Sequence, residues 1–293
     1  MLAGLRALRA RLKRDYIARR ITPILSDARA PDTLAAERDF DRLQAAFPPV
    51  PEYGYDDVSL ARRASGRLAA AFDNLPRADR RLAFLDVGAG DGTLGAMIAA
   101  LGHDVALCDL EDWRKPPAAS LPFFAADCCA GLPFEDDRFD LVTSFNAFEH
   151  MANPTAALAE IARVVRPGGI IHLDFGPLHA APWGLHAYRS LAMPYPQFLF
   201  SEAFVIAKLR ETGINDLGED RTELQFLNGW RPAQYRALWK RPDLEIVSQQ
   251  TDTDHGYWRV IAEYPDSFRG RGLVFDDVTS VQIRIVLRKR PAR

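Results

Sequence analysis

The chain has 293 residues, and its 37 basic and 39 acidic residues give a formal net charge of −2 at neutral pH. This balance produces no global positive field, so we expect no nucleic-acid partner. The 3 cysteines have neither the spacing of a zinc site nor that of a disulfide framework, and no run of about 20 apolar residues predicts a membrane-spanning helix. The length suffices for one large α/β domain with additions, and the composition is typical of a cytoplasmic enzyme.

The first 20 residues predict a basic amphipathic helix. Its apolar residues fall at near-helical spacing and are Leu2, Leu5, Leu8, Leu12 and Tyr16. The basic residues around them are Arg6, Arg9, Arg11, Lys13, Arg14, Arg19 and Arg20, against the single acid Asp15. Such a helix can lie on an anionic membrane surface, or it can pack on its own domain. We favour packing, because membrane-binding faces usually carry Trp or Phe. For residues 1–20 we therefore expect at most weak contact with the inner face of a membrane.

Two further helices are predicted before the main domain, one ending at Phe47 and one over residues 59–72. A proline-rich loop lies between them and carries Tyr53 and Tyr55. Both tyrosines are candidates for a lid, although aromatic residues that merely anchor a loop are an equal alternative.

The most informative segment is Leu85 to Gly92, which reads L-D-V-G-A-G-D-G. An apolar strand ends there in three glycines at alternate positions, and a helical pattern follows from Thr93. Glycines let a loop approach a ligand closely, and a helix start offers unpaired N–H groups. A dinucleotide fingerprint needs glycine where Thr93 stands, and a phosphate loop needs lysine after Gly95, which is absent.

The next strands also end in polar residues. A strand over residues 105–109 ends in Asp109, which lies about 20 residues past the loop, the offset of a ribose-binding carboxylate. A third strand ends in Asp127, and a fourth over 139–144 is followed by F-N-A-F-E-H. A helix over 154–165 and a fifth strand over 170–175 follow.

The glycine loop resembles motif I of the class I S-adenosylmethionine (SAM)-dependent methyltransferases. The order F-D-L-V, N-x-x-E-H, N-P, helix and R-P-G-G is similar to the branch that includes quinone and sugar methylases, and it covers roughly residues 80 to 177. The resemblance implies a doubly wound, mostly parallel, seven-stranded Rossmann-like sheet and SAM as cofactor. The cofactor-binding residues that it implies are Asp86, Gly88, Gly90, Gly92, Asp109, Leu110, Asp127, Cys128 and Asn146.

The roles of these residues follow from the same resemblance. Asp86 would bind the ammonium end of the ligand, and the glycines would make room for its methionine part. Asp127 would accept a hydrogen bond from the adenine amino group, and Leu110 and Cys128 would flank the ring.

We expect four segments along the chain. Residues 1–75 form a helical extension or lid, residues 76–176 the SAM-binding core, residues 177–243 a substrate cap inserted after the fifth strand, and residues 244–293 the final strands with a second insertion. The amino-acid sequence of the two insertions loosely resembles that of methyltransferases encoded with glycan-assembly genes.

The predicted acceptor is a hydroxyl of a sugar or glycan, which can be lipid-linked. A sugar hydroxyl has a pKa far above 7, so its methylation benefits from a general base. His150 and Asp174 are the candidates, with Asp174 orienting the imidazole. A structural hydrogen bond at a helix start is an equal alternative for His150.

Three residues of the cap are predicted to bind the substrate, namely His179, His186 and Tyr188, and the two histidines are rival bases. A metal held by the pair His172 and Asp174 together with His179 is a further option, but the spacing of a third ligand is not convincing, and we assign no metal. The runner-up function is C- or O-methylation of a quinone or other aromatic molecule. A SAM-binding protein without catalysis is the alternative of another class. The oligomeric state is left open.

Overall fold

The structure is a computed structural model that describes residues 2–50, 54–75, 80–212, 215–216, 219–220 and 224–291. The helices are α1 (Leu2–Leu25), α2 (Glu37–Ala46), α3 (Asp57–Phe72), α4 (Thr93–Ala100), α5 (Pro154–Val164), α6 (Pro196–Leu199), α7 (Glu202–Thr212), α8 (Pro232–Leu238), α9 (Trp258–Glu263), α10 (Pro265–Phe268) and α11 (Phe275–Thr279). The strands are β1 (Ala83–Val87), β2 (Asp104–Asp109), β3 (Phe123–Ala125), β4 (Phe139–Phe145), β5 (Val165–Phe175), β6 (Asn215–Asp216), β7 (Glu219–Asp220), β8 (Leu244–Thr253) and β9 (Ser280–Lys289).

Contacts between residues divide the chain into two compact units. The helical unit comprises Met1–Glu52, Pro177–Gln225 and Asp252–Val281, and the sheet unit comprises Tyr53–Gly176, Phe226–Thr251 and Gln282–Arg293. The four predicted segments are grouped differently, because residues 1–52 share a unit with most of the predicted cap and of the second insertion. As functional domains the four segments stay a prediction.

The sheet has seven strands in the order β3-β2-β1-β4-β5-β9-β8. Strands β1 to β5 pair in parallel, and β9 runs antiparallel to β5. The predicted doubly wound, mostly parallel sheet is therefore confirmed. Strand β4 is buried along its whole length, as expected of a parallel strand covered on both faces. The strand order reverses between β1 and β4, and in such sheets ligands bind at the carboxyl ends beside that point.

Helix α3 belongs to the sheet unit, although its sequence position placed it in the predicted extension. Its residues Ala64 and Ala71 are buried in one cluster with Phe84 of β1 and Ile98 of α4. Small residues on this helix face allow α3 to approach α4 closely, and α3 thereby comes to border the sheet.

Helix α8 also belongs to the sheet unit, although residues 232–238 fall within the predicted cap. Tyr235 and Trp239 are buried against Phe148 and Phe175, with ring centroids 4.8 Å apart for Tyr235 and Phe175 and 5.8 Å apart for Phe148 and Trp239. Burying two large aromatic side chains supplies several kcal/mol (about 1.5–3 kcal/mol for each), which explains why this helix joins the sheet.

The helical unit has an aromatic core. The buried members include Phe40 of α2, Phe198 of α6, Phe200 and Phe268. Tyr195 is also buried there, and its hydroxyl donates to the carbonyl of Val278 at 2.9 Å. Within the described part of the chain, no helix has the length and apolar character that crossing a bilayer requires.

Candidate functional site

The three glycines after β1 all adopt left-handed backbone conformations, with φ of 73° at Gly88, 52° at Gly90 and 73° at Gly92. A Cβ atom on Gly88 would collide with the side chain of Ala147, and one on Gly92 would lie 2.6 Å from that of Ala118. A Cβ on Gly90 would meet no described atom within 4 Å. Protein packing therefore explains two of the glycines, whereas Gly90 faces open space that a ligand can enter.

Asp109 stands beside this opening at the end of β2. One carboxylate oxygen accepts from the N–H of Gly90 at 2.9 Å, and the other accepts from the N–H of Leu110 at 2.8 Å. The glycine loop thus fixes the orientation of the carboxylate, whose other lone pairs can accept from ribose hydroxyls. The side chain of Leu110 is 68% exposed, as expected of a residue that covers one face of a planar ring.

The two predicted cofactor-binding residues after β3, Asp127 and Cys128, differ in their exposure. Asp127 is exposed, and its carboxylate accepts from the N–H of Cys129 at 2.8 Å. Cys128 is buried, and its thiol lies 3.6 Å from the carbonyl of Ala157 on α5. Burial raises the pKa of this thiol. The side chain of Cys128 faces α5, so a contact with a ligand ring would have to come from its main chain.

Asp86 lies within β1 and is buried. Its carboxylate accepts from the hydroxyl of Thr143 at 2.6 Å. Burial raises the pKa of Asp86 to about 7, against the hydrogen bond from Thr143 and the charge of Arg67, which lower it. A cationic group bound beside Asp86 would favour its ionised form, as the predicted contact with an ammonium group requires.

Glu149 is a residue of the site that the sequence analysis missed, although it is the glutamate of N-x-x-E-H. Only 2% of it is exposed. One of its carboxylate oxygens accepts from the N–H of Gly176 at 2.9 Å, and the other has no hydrogen-bond partner in the described part of the chain. Burial raises the pKa of Glu149 to about 8, and the charge of Asp174 contributes to the rise. Glu149 is therefore mostly protonated at neutral pH.

His150 ends a short 3₁₀ turn, Phe148–His150, that follows β4. Its Nδ1 lies 2.6 Å from the carbonyl oxygen of Phe226. A carbonyl only accepts hydrogen bonds, so Nδ1 carries the proton and the basic lone pair is on Nε2. Nε2 lies 3.9 Å from a carboxylate oxygen of Glu149.

The structure gives Asp174 other partners than the predicted His150, and the catalytic roles of both residues stay a prediction. The carboxylate of Asp174 accepts from Gln282 at 2.7 Å and from Arg284 at 3.2 Å. The cause is the antiparallel register of β5 and β9, which sets Arg284 directly opposite Asp174. A main-chain carbonyl, that of Phe226, holds the imidazole where we had expected a carboxylate.

An open cleft of about 410 Å³ lies at this end of the sheet. Its lining residues are Arg62, Arg63, Gly66, Arg67, Ala70, Phe145, Asn146 and Asp174. The guanidinium of Arg67 lies 5.1 Å from the ring centroid of Phe145. Asn146 has a φ of 51° and accepts from Gln282 at 3.4 Å. The three arginines were not predicted; the i, i+4 spacing of Arg63 and Arg67 within the predicted helix over residues 59–72 is the signal that could have identified them.

The predicted substrate-binding residues belong to the helical unit. The ring of His179 is half-buried, with its centroid 6.1 Å from that of Phe198, and burial lowers its pKa. His186 has a φ of 57°, and its Nε2 lies 2.7 Å from the carbonyl of Pro177. Tyr188 is half-buried. Their role in substrate binding stays a prediction.

Of the two lid candidates, Tyr53 lies outside the described residues. Tyr55 lies in the sheet unit, where the guanidinium of Arg63 stands 5.4 Å from its ring centroid. Since Arg63 lines the cleft, Tyr55 is positioned close to it on the same unit.

The chain is similar to known methyltransferases. A family model described as a methyltransferase domain matches residues 85–173. The chain is 32% identical to a demethylmenaquinone methyltransferase of Beutenbergia cavernae, a match that covers 53% of this chain and 68% of that protein. It is 38% identical to the demethylmenaquinone methyltransferase of Clavibacter sepedonicus, with 48% and 64% covered.

More distant similarities are found as well. A chloroplastic 2-methyl-6-phytyl-1,4-hydroquinone methyltransferase of Oryza sativa is 29% identical, with 52% of this chain and 44% of that protein covered. A solved structure from Pyrococcus horikoshii is 15% identical, with 82% and 97% covered and a TM-score of 0.49. The chain belongs to the family of SAM-dependent methyltransferases.

The described residues fit SAM as the methyl donor of this enzyme. The space in front of Gly90 is the space that a side chain would otherwise fill. The carboxylate of Asp109 borders that space, and the buried Asp86 lies one strand away. The site thus offers an acceptor for hydroxyl groups and an acid suited to a cation.

Proposed function

We propose that the methyl acceptor is a hydroxyl-bearing aromatic molecule of the quinol class. The observation that carries this proposal is that three relatives with 29–38% identity are named for methylation of quinones or hydroquinones. The sequence analysis placed this acceptor second, after a sugar or glycan hydroxyl. The comparisons support the quinone alternative better than the sugar.

The lining of the cleft supports an aromatic acceptor. Phe145 offers a ring face, and Arg67 stands over it. A guanidinium near a phenolic hydroxyl favours the ionised oxygen, because an opposite charge stabilises the anion. A quinol becomes a stronger nucleophile, at its oxygen or at its ring carbons, as its hydroxyl loses the proton.

When bound, SAM supplies a methyl group on a positively charged sulfur, and transfer breaks the carbon–sulfur bond as the bond to the acceptor forms. The residues of this chain position the reactants and remove the proton that the acceptor must lose. Gly90 and Asp109 hold the donor, the arginines of α3 orient the acceptor, and His150 accepts the proton at Nε2. The Phe226 carbonyl keeps the imidazole in that tautomer, so His150 acts as a general base.

The experiment is transfer from methyl-labelled SAM to matched acceptors, followed by mass spectrometry of the products. The acceptors are a demethylated quinol kept reduced, the same compound in its oxidised form, and a monosaccharide glycoside. We expect methylation of the reduced form alone, because only that form carries the hydroxyl. Arg67→Gln should raise KM for the quinol, whereas Arg38→Gln, an exposed change on α2, should not. Transfer to the glycoside and not to the quinol would contradict the proposal.

A further inference from the structure

Helix α1 is buried on one side and exposed on another. Ile17, Ile21 and Leu25 of its second half belong to the core of the helical unit. In the first half, Leu5, Leu8 and Leu12 are 50%, 52% and 59% exposed. Large apolar side chains exposed together at helical spacing mark an interaction surface more often than a solvated face.

The exposed side chains do not continue the buried face. Successive residues of an α-helix are separated by about 100° around its axis. On this spacing, Leu5, Leu8, Leu12 and Tyr16 form one stripe. Ile17, Ile21 and Leu25 lie roughly 180° away from it. Packing in the core therefore explains the second set and leaves the first set, which we call the leucine face, unexplained.

Basic residues outnumber acidic ones on and beside the leucine face. Arg6, Arg9, Arg11, Lys13, Arg14, Arg19 and Arg20 stand on the same stretch of helix as the single acid Asp15. That acid lies 4.0 Å from Arg11 in an i, i+4 pair. On the helical spacing, Arg9, Lys13 and Arg20 lie along one side of the leucine face. Arg19 lies on the face itself, and the Arg11–Asp15 pair lies along its other side. A helix whose apolar face has basic residues along it is complementary to an anionic lipid surface.

The structure places a tryptophan of another helix, α9, beside this one. The ring of Tyr16 meets that of Trp258 edge-on, with centroids 5.9 Å apart. Trp258 is half-buried, and Arg259 beside it is exposed. Aromatic rings of this kind anchor proteins at the level of lipid headgroups. The argument for packing had rested on the lack of such a residue.

We propose that the leucine face binds the surface of an anionic membrane, with the basic residues contacting headgroup phosphates. The binding is peripheral, since the face is only as deep as one row of side chains. Membrane binding brings the enzyme to an acceptor that is dissolved in lipid, as the proposed function requires. The binding itself does not depend on the identity of the acceptor. The arginine-lined cleft belongs to the methyl-transfer site and is not needed for it.

The test is co-sedimentation of the full chain with vesicles of phosphatidylglycerol and phosphatidylcholine, and with vesicles of phosphatidylcholine alone. We expect binding to the anionic vesicles only. The double substitution Leu8→Glu and Leu12→Glu should lower the partition coefficient by about tenfold or more, because two apolar contacts are lost and two negative charges are added. Both positions are exposed, so folding should be unaffected.

Leu101→Glu is the matched control, since Leu101 is 59% exposed like Leu12 but lies after α4 in the sheet unit. This variant should bind as the parent does. Raising the salt to about 1 M, where the Debye length is about 3 Å, should release the protein. Circular dichroism of the double variant verifies its fold.

Three results would overturn the proposal. They are failure of the parent to bind anionic vesicles, equal binding to uncharged vesicles, and binding that the double substitution leaves unchanged. Analytical ultracentrifugation tests the other partner that the leucine face could bind, which is a second copy of this chain. Self-association that the double substitution abolishes, without vesicle binding, would assign the leucine face to a dimer instead.

Discussion

The carboxyl end of the sheet and the core of the helical unit use polar residues in opposite ways. At the sheet, the buried acids Asp86 and Glu149 have raised pKa values, and Glu149 retains an oxygen without a hydrogen-bond partner among the described residues. In the helical unit, the buried hydroxyl of Tyr195 donates to a carbonyl, and the ring of His179 packs against Phe198. The first arrangement keeps desolvated acids ready for a ligand, whereas the second stabilises a core.

The contrast separates histidines that looked alike in the sequence. His150 and His179 both lie in loops near the ends of strands, and both were candidate bases. His150 follows β4, and the carbonyl of Phe226 fixes its ring. It lies beside the buried acid Glu149. His179 packs against Phe198, and its burial lowers its pKa and favours the neutral ring. His150 is the better candidate for catalysis, because it lies at the ligand end of the sheet beside Glu149, whose pKa is raised.

The largest expected effect comes from replacing each of these two histidines separately by alanine. His150→Ala should lower kcat about 10²-fold, at the lower end of the usual worth of a general base, because a quinol hydroxyl is more acidic than that of a sugar. His179→Ala should keep kcat within about threefold and lower the free energy of unfolding by about 1 kcal/mol through lost packing. Steady-state kinetics and urea unfolding measure the two quantities.

The reverse pattern would break the comparison. If His179→Ala lost turnover while His150→Ala mainly lost stability, the base would come from the helical unit. An acceptor too acidic to need a base would leave both variants active.

The second prediction concerns the two ends of β2. Asp109→Ala should weaken SAM binding by about 1–3 kcal/mol, because buried ribose hydroxyls lose their acceptor. Asp104→Ala is the matched control, since Asp104 starts the same strand and pairs with Arg81 in an exposed ion pair. Its SAM affinity should stay within about twofold of the parent. Isothermal titration calorimetry decides, and equal affinities for the two variants would remove Asp109 from the cofactor site.

The sheet and the glycine loop could be predicted because they depend on local signals. Apolar runs such as Phe139–Phe145 are typical of buried parallel strands, and alternate glycines leave a recognisable pattern. The partners of His150 and Asp174 could not be predicted. One is a main-chain carbonyl 76 positions away, and the other is an arginine 110 positions away on an antiparallel strand. Main-chain contacts leave no trace in residue type, and register over such distances depends on the whole fold.

The amphipathic helix shows a similar limit. The sequence of α1 predicted one apolar face, whereas in the structure Ile17 and Ile21 are buried on one side of the helix, and Leu8 and Leu12 are exposed on the other. Hydrophobic spacing alone does not tell which of two apolar faces meets the core, because that depends on the segments that pack against the helix.

The third prediction follows from the raised pKa of Glu149. Its value of about 8 in the folded chain exceeds the ordinary 4.5, so between these values the folded state keeps a proton that the unfolded state has lost. Stability should therefore fall as the pH rises through this window, at about 1.4 kcal/mol per pH unit at most for this group. Asp86, with a pKa of about 7, contributes in the same direction.

Glu149→Gln removes one of these two contributions. Its stability relative to the parent should rise between about pH 5 and pH 8. Glu245→Gln, at an exposed position of β8, should leave the slope unchanged. Urea unfolding at a series of pH values measures this, and parallel curves for parent and Glu149→Gln would show that burial does not keep this acid protonated.

The smallest effect is expected from Asp174. Because its carboxylate pairs with Arg284 and Gln282 and not with His150, Asp174→Asn should change kcat by less than about threefold. The lost ion pair is partly exposed and should cost less than about 1 kcal/mol of stability.

The informative comparison is Asn228→Ala. Asn228 donates to the carbonyls of Phe148 and Met151, both at 3.1 Å, and it stands two residues from Phe226, so its loss should shift the carbonyl that holds the imidazole. This variant should lower kcat more than Asp174→Asn does, about tenfold, without changing SAM affinity. If instead Asp174→Asn reduced turnover and flattened the pH–rate profile while Asn228→Ala left both intact, a carboxylate would orient the base during the reaction, and the catalytic pair would be the one that the sequence first indicated.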